Sequence, residues 1–185
     1  MTLGTEVHPE YVVGTWKSDA AHQEISFTVR HLQISKVRGE FRSFEATVVT
    51  AEHFEDSTVE ATIDVASVDT NQEYRDNHLR SGDFFLVEEY PTATFKSTSV
   101  SGTADDFSIV GDLTIRGVTK SETLKGEFGG VYTDGQGNTH AGITAKTVIN
   151  RMDYGVKWNG PLEAGGLTLG NEVTLSFDIE FLLQK

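Results

Sequence analysis

The sequence predicts an all-β fold, a sandwich or barrel of about eight or nine antiparallel strands. Two observations carry this. Apolar and polar residues alternate with period two along most of the chain, as in strands with one buried face. Turn signals separate these runs at hairpin spacing, and no strand–helix rhythm of a parallel sheet appears. A third observation is an exception to the pattern. Within residues 67–97 a helix-like segment carries Arg75, Asp76, His78 and Arg80, then Phe84, Phe85 and Tyr90-Pro91. Polar chemistry set against apolar surface is what the mouth of a ligand pocket needs.

Residues 1–10 read as a polar lead-in to a single domain over residues 11–185. Ile25, Phe27, Val29 and His31 share one strand face, with Ser26, Thr28 and Arg30 on the other. Val37, Gly39 and Phe41 continue the pattern. The apolar set then shifts by one residue to Phe44, Ala46 and Val48, which predicts a bulge or bend near Arg42-Ser43. Val59, Ala61, Ile63 and Val65 form a third strand. Thr70 and Glu73 have capping-box spacing, so the helix is expected to begin at Asn71. Ser81-Gly82 should stop it near Arg80 by a glycine exit. Asp76 and Arg80 stand in the favourable order for an ion pair on a solvated helix.

Ala93, Phe95 and Ser97 resume the alternation. Ile109, Gly111, Leu113 and Ile115 follow, then a turn at Gly117, then Leu124, Gly126 and Phe128. Residues 132–138 form a hairpin loop by their Asp-Gly and Gly-Asn content. Ala141, Ile143, Ala145, Thr147 and Ile149 rise from it. Residues 150–171 are Gly-rich, hold Arg151, Tyr154 and Trp158, and suit a lid over a barrel end. Val173, Leu175, Phe177, Ile179 and Phe181 make the last strand. Small inward residues recur at Gly39, Ala61, Ala93, Gly111, Gly126, Ala141 and Ala145. They leave room that large neighbours fill in a sandwich, or that lines a channel in a barrel.

The net charge is −13, from 15 basic and 28 acidic residues. That argues against nucleic acid and against docking on anionic lipid head groups. No run reaches the ~20 apolar residues of a membrane span, so no stable membrane insertion is expected. The N-terminus lacks the basic start and apolar core of a signal peptide, which points to a cytoplasmic location. The absence of cysteine excludes disulfides, thiolate zinc sites and cysteine nucleophiles. The six histidines form no metal-ligand motif. No nucleophile elbow and no phosphate-cradling glycine loop is present. No metal, cofactor or catalytic residue is therefore expected.

Several motifs in order resemble the YceI family. They are Val29-Arg30-His31-Leu32, Val37-Arg38-Gly39-Glu40-Phe41 and Ser67-Val68-Asp69-Thr70, then Arg75-Asp76-Asn77-His78-Leu79-Arg80-Ser81-Gly82-Asp83-Phe84-Phe85. Tyr90-Pro91-Thr92-Ala93-Thr94-Phe95, Gly111-Asp112-Leu113-Thr114-Ile115-Arg116-Gly117-Val118-Thr119-Lys120 and Asn150-Arg151-Met152-Asp153-Tyr154-Gly155 complete the set. The likeness runs from about residue 12 to the end. It implies an antiparallel eight-stranded, lipocalin-like barrel around an apolar pore that binds polyisoprenoids, including quinone-like molecules. Many members are periplasmic with a cleaved leader, from which this sequence departs.

The leading expectation is a non-catalytic carrier of a long-chain isoprenoid or similar amphipathic lipid. The apolar pore would be lined by Phe27, Val29, Phe41, Ile63, Phe84, Phe85, Phe95, Leu113, Phe128, Ile143 and Trp158. His31, Arg75, His78 and Arg151 would form the polar mouth. The rims of such a barrel are where a homodimer would form. Two alternatives stay open: an enzyme acting on an apolar substrate with His31 or His78 as base, and a solid-core structural or partner-binding barrel.

Overall fold

The computed structural model describes residues 1–163 and 165–185. Its strands are β1 (Gly14–His31), β2 (Ser35–Phe41), β3 (Phe44–Thr50), β4 (Thr58–Asp64), β5 (Val68–Asp69), β6 (Thr92–Gly102), β7 (Phe107–Ile115), β8 (Val118–Thr133), β9 (Thr139–Asn150) and β10 (Leu169–Leu183). Neighbours pair in the order β10-β9-β8-β7-β6-β4-β3-β1, and β10 pairs with β1 to close an antiparallel barrel. Closure leaves these strands without an open edge.

The first half of β1 pairs with β3 and its second half with β2. β2 and β3 thus form one wall position bent at Arg42 and Ser43, where the one-residue register shift predicted it. The bend carries β2 outward to pair with the short β5. On its other side β1 makes a larger excursion. Ser18 faces Phe181 and Gln23 faces Ile179, so residues 19–22 stand opposite Glu180 alone.

The small inward residues divide into two kinds. A side chain at Gly39, Gly111 or Gly126 would run into the ring of Phe27, Phe95 or Phe107 respectively. These glycines seat aromatic rings close against the wall, so they do not widen the tube. The alanines do leave space: Ala61, Ala93 and Ala145 border the interior cavity described below.

The helix ends at Arg80 as the sequence predicts, but it starts later than expected and its exit differs. α2 spans Glu73–Arg80 and its N-cap is Gln72, whose side chain accepts the Arg75 N–H. Thr70 is drawn elsewhere. Its N–H and hydroxyl both donate to Asp76 Oδ1, while its Oγ1 accepts from Arg75 Nε at 2.8 Å. Asn71 makes the intervening turn at φ 60°, a region that asparagine tolerates well. At the other end Ser81 caps in extended backbone, so the exit does not use Gly82 as a left-handed residue.

The Asp76–Arg80 pair is not formed either. Asp76 is 6% exposed and turned to Thr70. Arg80 donates to the carbonyls of Ala66 and Val68 and to Asn77 Oδ1. Asp76 is already engaged by the two donors of Thr70, and the carbonyls of the preceding turn and β5 take up the Arg80 guanidinium instead.

The N-terminal residues pack over the barrel end remote from α2. A short helix, α1 (Gly4–Val7), follows Leu3. Gly4 N–H donates to Glu52 O and Phe54 N–H to Thr2 O, each at 2.9 Å, and the Tyr11 hydroxyl donates to Ala51 O at 2.8 Å. No helix among the described residues is long and apolar enough to cross a membrane.

Candidate functional site

The barrel interior holds an apolar cavity of about 370 Å³. That exceeds twice the ~150 Å³ of a dry engineered cavity that admits benzene. Phe27, Val29, Phe41, Ile63, Phe84, Phe85, Phe95, Leu113, Ile143 and Trp158 all border it. One inward residue lies at a different depth. Phe128 lies instead on a second cavity of about 90 Å³ at the far end, its ring edge-on to His8 at 4.8 Å. The two cavities share Val48, Val59, Ile109, Ile143 and Phe181, which form a waist between them. The alternation in β10 marks a strand without marking pore wall, yet Val173, Leu175, Phe177 and Ile179 also border the main cavity.

His31, Arg75, His78 and Arg151 line the α2 end of the same cavity. Their surroundings differ sharply. Arg75 reaches back to Thr70, with Nη2 donating to its carbonyl at 2.9 Å. His78 Nε2 lies 2.8 Å from Asp83 Oδ2. Its ring stands edge-on to both Phe84 and Trp158 at 5.0 Å, and these two rings are 5.4 Å apart. This aromatic cluster joins the segment after α2 to the loop after β9, across the opening.

Arg151 is no open mouth cation. It is 5% exposed. Nε donates to Gly170 O, and Nη1 to the carbonyls of Val156 and Trp158, each at 2.8 Å. It ties the start of the lid loop to its return into β10. Nη2 is buried without a hydrogen-bond partner, and burial lowers the guanidinium pKa. The local chain sets this up. Asn150 caps a 3₁₀ turn over Arg151–Tyr154, and Gly155 leaves it at φ 77°. Tyr154, 1% exposed, donates its hydroxyl to Glu122 Oε1 at 2.6 Å. Burial first and then this carboxylate push its pKa far up.

Outside the barrel, Asp19, His22 and Glu180 each bring one donor atom within 4.8 Å of the others. His140 joins them through Glu180 Oε1 at 2.7 Å and reaches Asp134 Oδ2 at 3.1 Å. Hydrogen bonding within the group accounts for its arrangement. No linear motif could have shown it, because Glu180 meets the others only by the β1–β10 and β9–β10 pairings.

The YceI-like domain model matches residues 16–181. A UPF0312 protein of Staphylococcus aureus, SAS2572, is 40% identical over 169 residues, covering 90% of this chain and 96% of the relative. The crystal structure of the Campylobacter jejuni YCEI protein superposes with TM-score 0.71 at 30% identity, over 84% of this chain and 90% of that one. A polyisoprenoid binding domain from Saccharophagus degradans shares the fold with TM-score 0.62 at 17% identity, over 94% of this chain and 100% of that one. The closed barrel, the order of motifs and these likenesses agree: the chain belongs to the YceI family.

Proposed function

We propose that the protein is a non-catalytic carrier of an amphipathic lipid, a polyisoprenoid or prenyl quinone, held with its tail along the barrel. The observation that carries this is the large apolar cavity, whose charged residues gather at one end. Each buried CH₂ contributes about 0.8 kcal/mol, so several isoprene units outweigh the cost of immobilising the ligand. The cluster of His78, Phe84 and Trp158 closes over the tail, and the head group lies near Arg75 and His78. The Saccharophagus degradans domain, named for polyisoprenoid binding, supports the ligand class through its shared fold.

The test is lipid extraction of protein purified from its own host, followed by mass spectrometry and by uptake of added prenyl quinone. The expected result is a co-purifying isoprenoid, with uptake reduced in Ala145→Trp, which fills the cavity wall. Absence of both bound lipid and uptake overturns the carrier reading. His78 carries an orienting carboxylate, as a general base does. Turnover of an apolar substrate that is lost in His78→Ala while uptake persists would replace a carrier with an enzyme.

A further inference from the structure

The β1–β2 hairpin beside the mouth has features that holding a ligand does not use. From Ile25 to Gly39 the chain has Arg30, Lys36 and Arg38 and no carboxylate, within a protein of net charge −13. Arg38 is neutralised by Glu24 at 2.8 Å. Arg30 and Lys36 have no carboxylate partner among the described residues. They are also direct cross-strand partners, and both are exposed. Like charges directly opposite destabilise an antiparallel pair. An anion between them turns that repulsion into attraction.

The tip between these cations is apolar and strained. Leu32 and Gln33 adopt φ 52° and 63°, the left-handed region that costs energy for residues with a Cβ and clusters at functional sites. The turn holds Ile34 out at 83% exposure. Leu32 N–H donates to Thr168 O at 2.8 Å, which joins the tip to the lid loop and its exposed Leu167. Exposed Tyr74 stands on the same rim, where it borders the cavity.

The opposite end is uniformly acidic. Its connections, residues 1–13, 51–57, 103–106 and 134–138, contain Asp and Glu but no Lys or Arg. The mouth end is mixed, with Glu73, Asp83, Glu88, Glu89 and Glu163 among Arg75, Arg80, Arg116 and Lys157, so the hairpin is the part of the surface that an anionic bilayer repels least.

We propose that, against the expectation from net charge alone, the β1–β2 hairpin docks on bilayers containing anionic phospholipid. Ile34 and Leu32 enter the interface, and Arg30 with Lys36 clasps a phosphate-bearing head group. The mouth then opens against the membrane that supplies or receives the lipid. This purpose rests on the carrier reading; the docking itself does not. The acidic remainder of the protein keeps the contact reversible and sensitive to salt.

Flotation with phosphatidylcholine vesicles, with and without phosphatidylglycerol, tests it. Binding is expected only to the anionic vesicles and is lost at high salt. Removing each cation, in Arg30→Gln or Lys36→Gln, weakens binding about fivefold. Ile34→Asp abolishes it. The same variants take up prenyl quinone from detergent micelles like wild type, because none of these side chains lines the cavity. Equal flotation with both vesicle types, or Ile34→Asp binding like wild type, overturns the docking proposal. Failure of wild-type uptake from micelles overturns the carrier reading, while flotation still decides the docking.

Discussion

Asp76 accepts both the backbone N–H and the hydroxyl of Thr70 on one buried carboxylate oxygen. The hydroxyl in turn accepts from Arg75 Nε. This chain of bonds locks α2 onto the segment leaving β5, and α2 supplies Arg75, His78 and Leu79 to the cavity. Asp76→Ala leaves two donors of Thr70 without their partner and is expected to cost about 2 kcal/mol. For a domain of this size that lowers Tm by roughly 4–8 °C. Asp76→Asn, which keeps an accepting oxygen, loses less. Calorimetry on both variants checks the order.

Arg151 is expected to be structural before it is functional. Arg151→Met removes donors to three carbonyls and costs at least about 2 kcal/mol, read from urea unfolding. Arg151→Lys restores little, because a compact ammonium does not reproduce the planar fork of the guanidinium. Hydrogen exchange in residues 156–168 should rise in both variants. Unchanged protection there would mean that Arg151 does not hold the lid.

The strands were legible because a half-buried wall writes itself as period two, and the bend at Arg42-Ser43 because a one-residue slip exchanges faces. Period two reports the face but not the depth along a barrel, so it does not separate Phe128, on the far-end cavity, from the residues of the main one. The bonds of Thr70, Arg80 and Arg151 were not legible. Their partners are largely backbone carbonyls or residues placed by tertiary contact, and a carbonyl leaves no trace in residue identity. Local rules therefore proposed an i,i+4 pair and a capping box where longer-range acceptors prevailed. The β10 wall was visible as a strand, and only closure onto β1 turned it into part of the site.

Trp158 is expected to control ligand exchange more than ligand capacity. Its ring packs on His78 and Phe84 across the opening, and each aromatic contact contributes about 0.5–1.5 kcal/mol. Trp158→Ala should release a prenyl quinone roughly five- to tenfold faster. Trp16 remains as the reporter, since it is buried on the far-end cavity with Nε1 bonded to Thr50 Oγ1 at 3.0 Å. Stopped-flow quenching of Trp16 by the quinone gives the rate. An unaltered off-rate would mean that the cluster does not gate the mouth.

The outer cluster predicts a stability that falls on the alkaline side. His140 lies between Asp134 and Glu180, one to each ring nitrogen. Two carboxylate acceptors require both nitrogens to donate, which only the imidazolium does. The Asp134 hydrogen bond, and then that of Glu180, hold the His140 pKa above 6.5. The Asp19 hydrogen bond, and then the Glu180 charge, do the same for His22. A raised histidine pKa stabilises the fold fully below the unfolded value and loses that contribution as pH rises through the folded one. Asp134 has the opposite sign. The Asn138 backbone N–H and then His140 hold its pKa well below 3.8, so its contribution is lost only in acid. The cluster therefore stabilises most between 3.8 and 6.5. Tm should decline from about pH 6 to about pH 9, and His140→Gln, which cannot be charged, should flatten that slope. A slope unchanged in His140→Gln would place the pH dependence elsewhere.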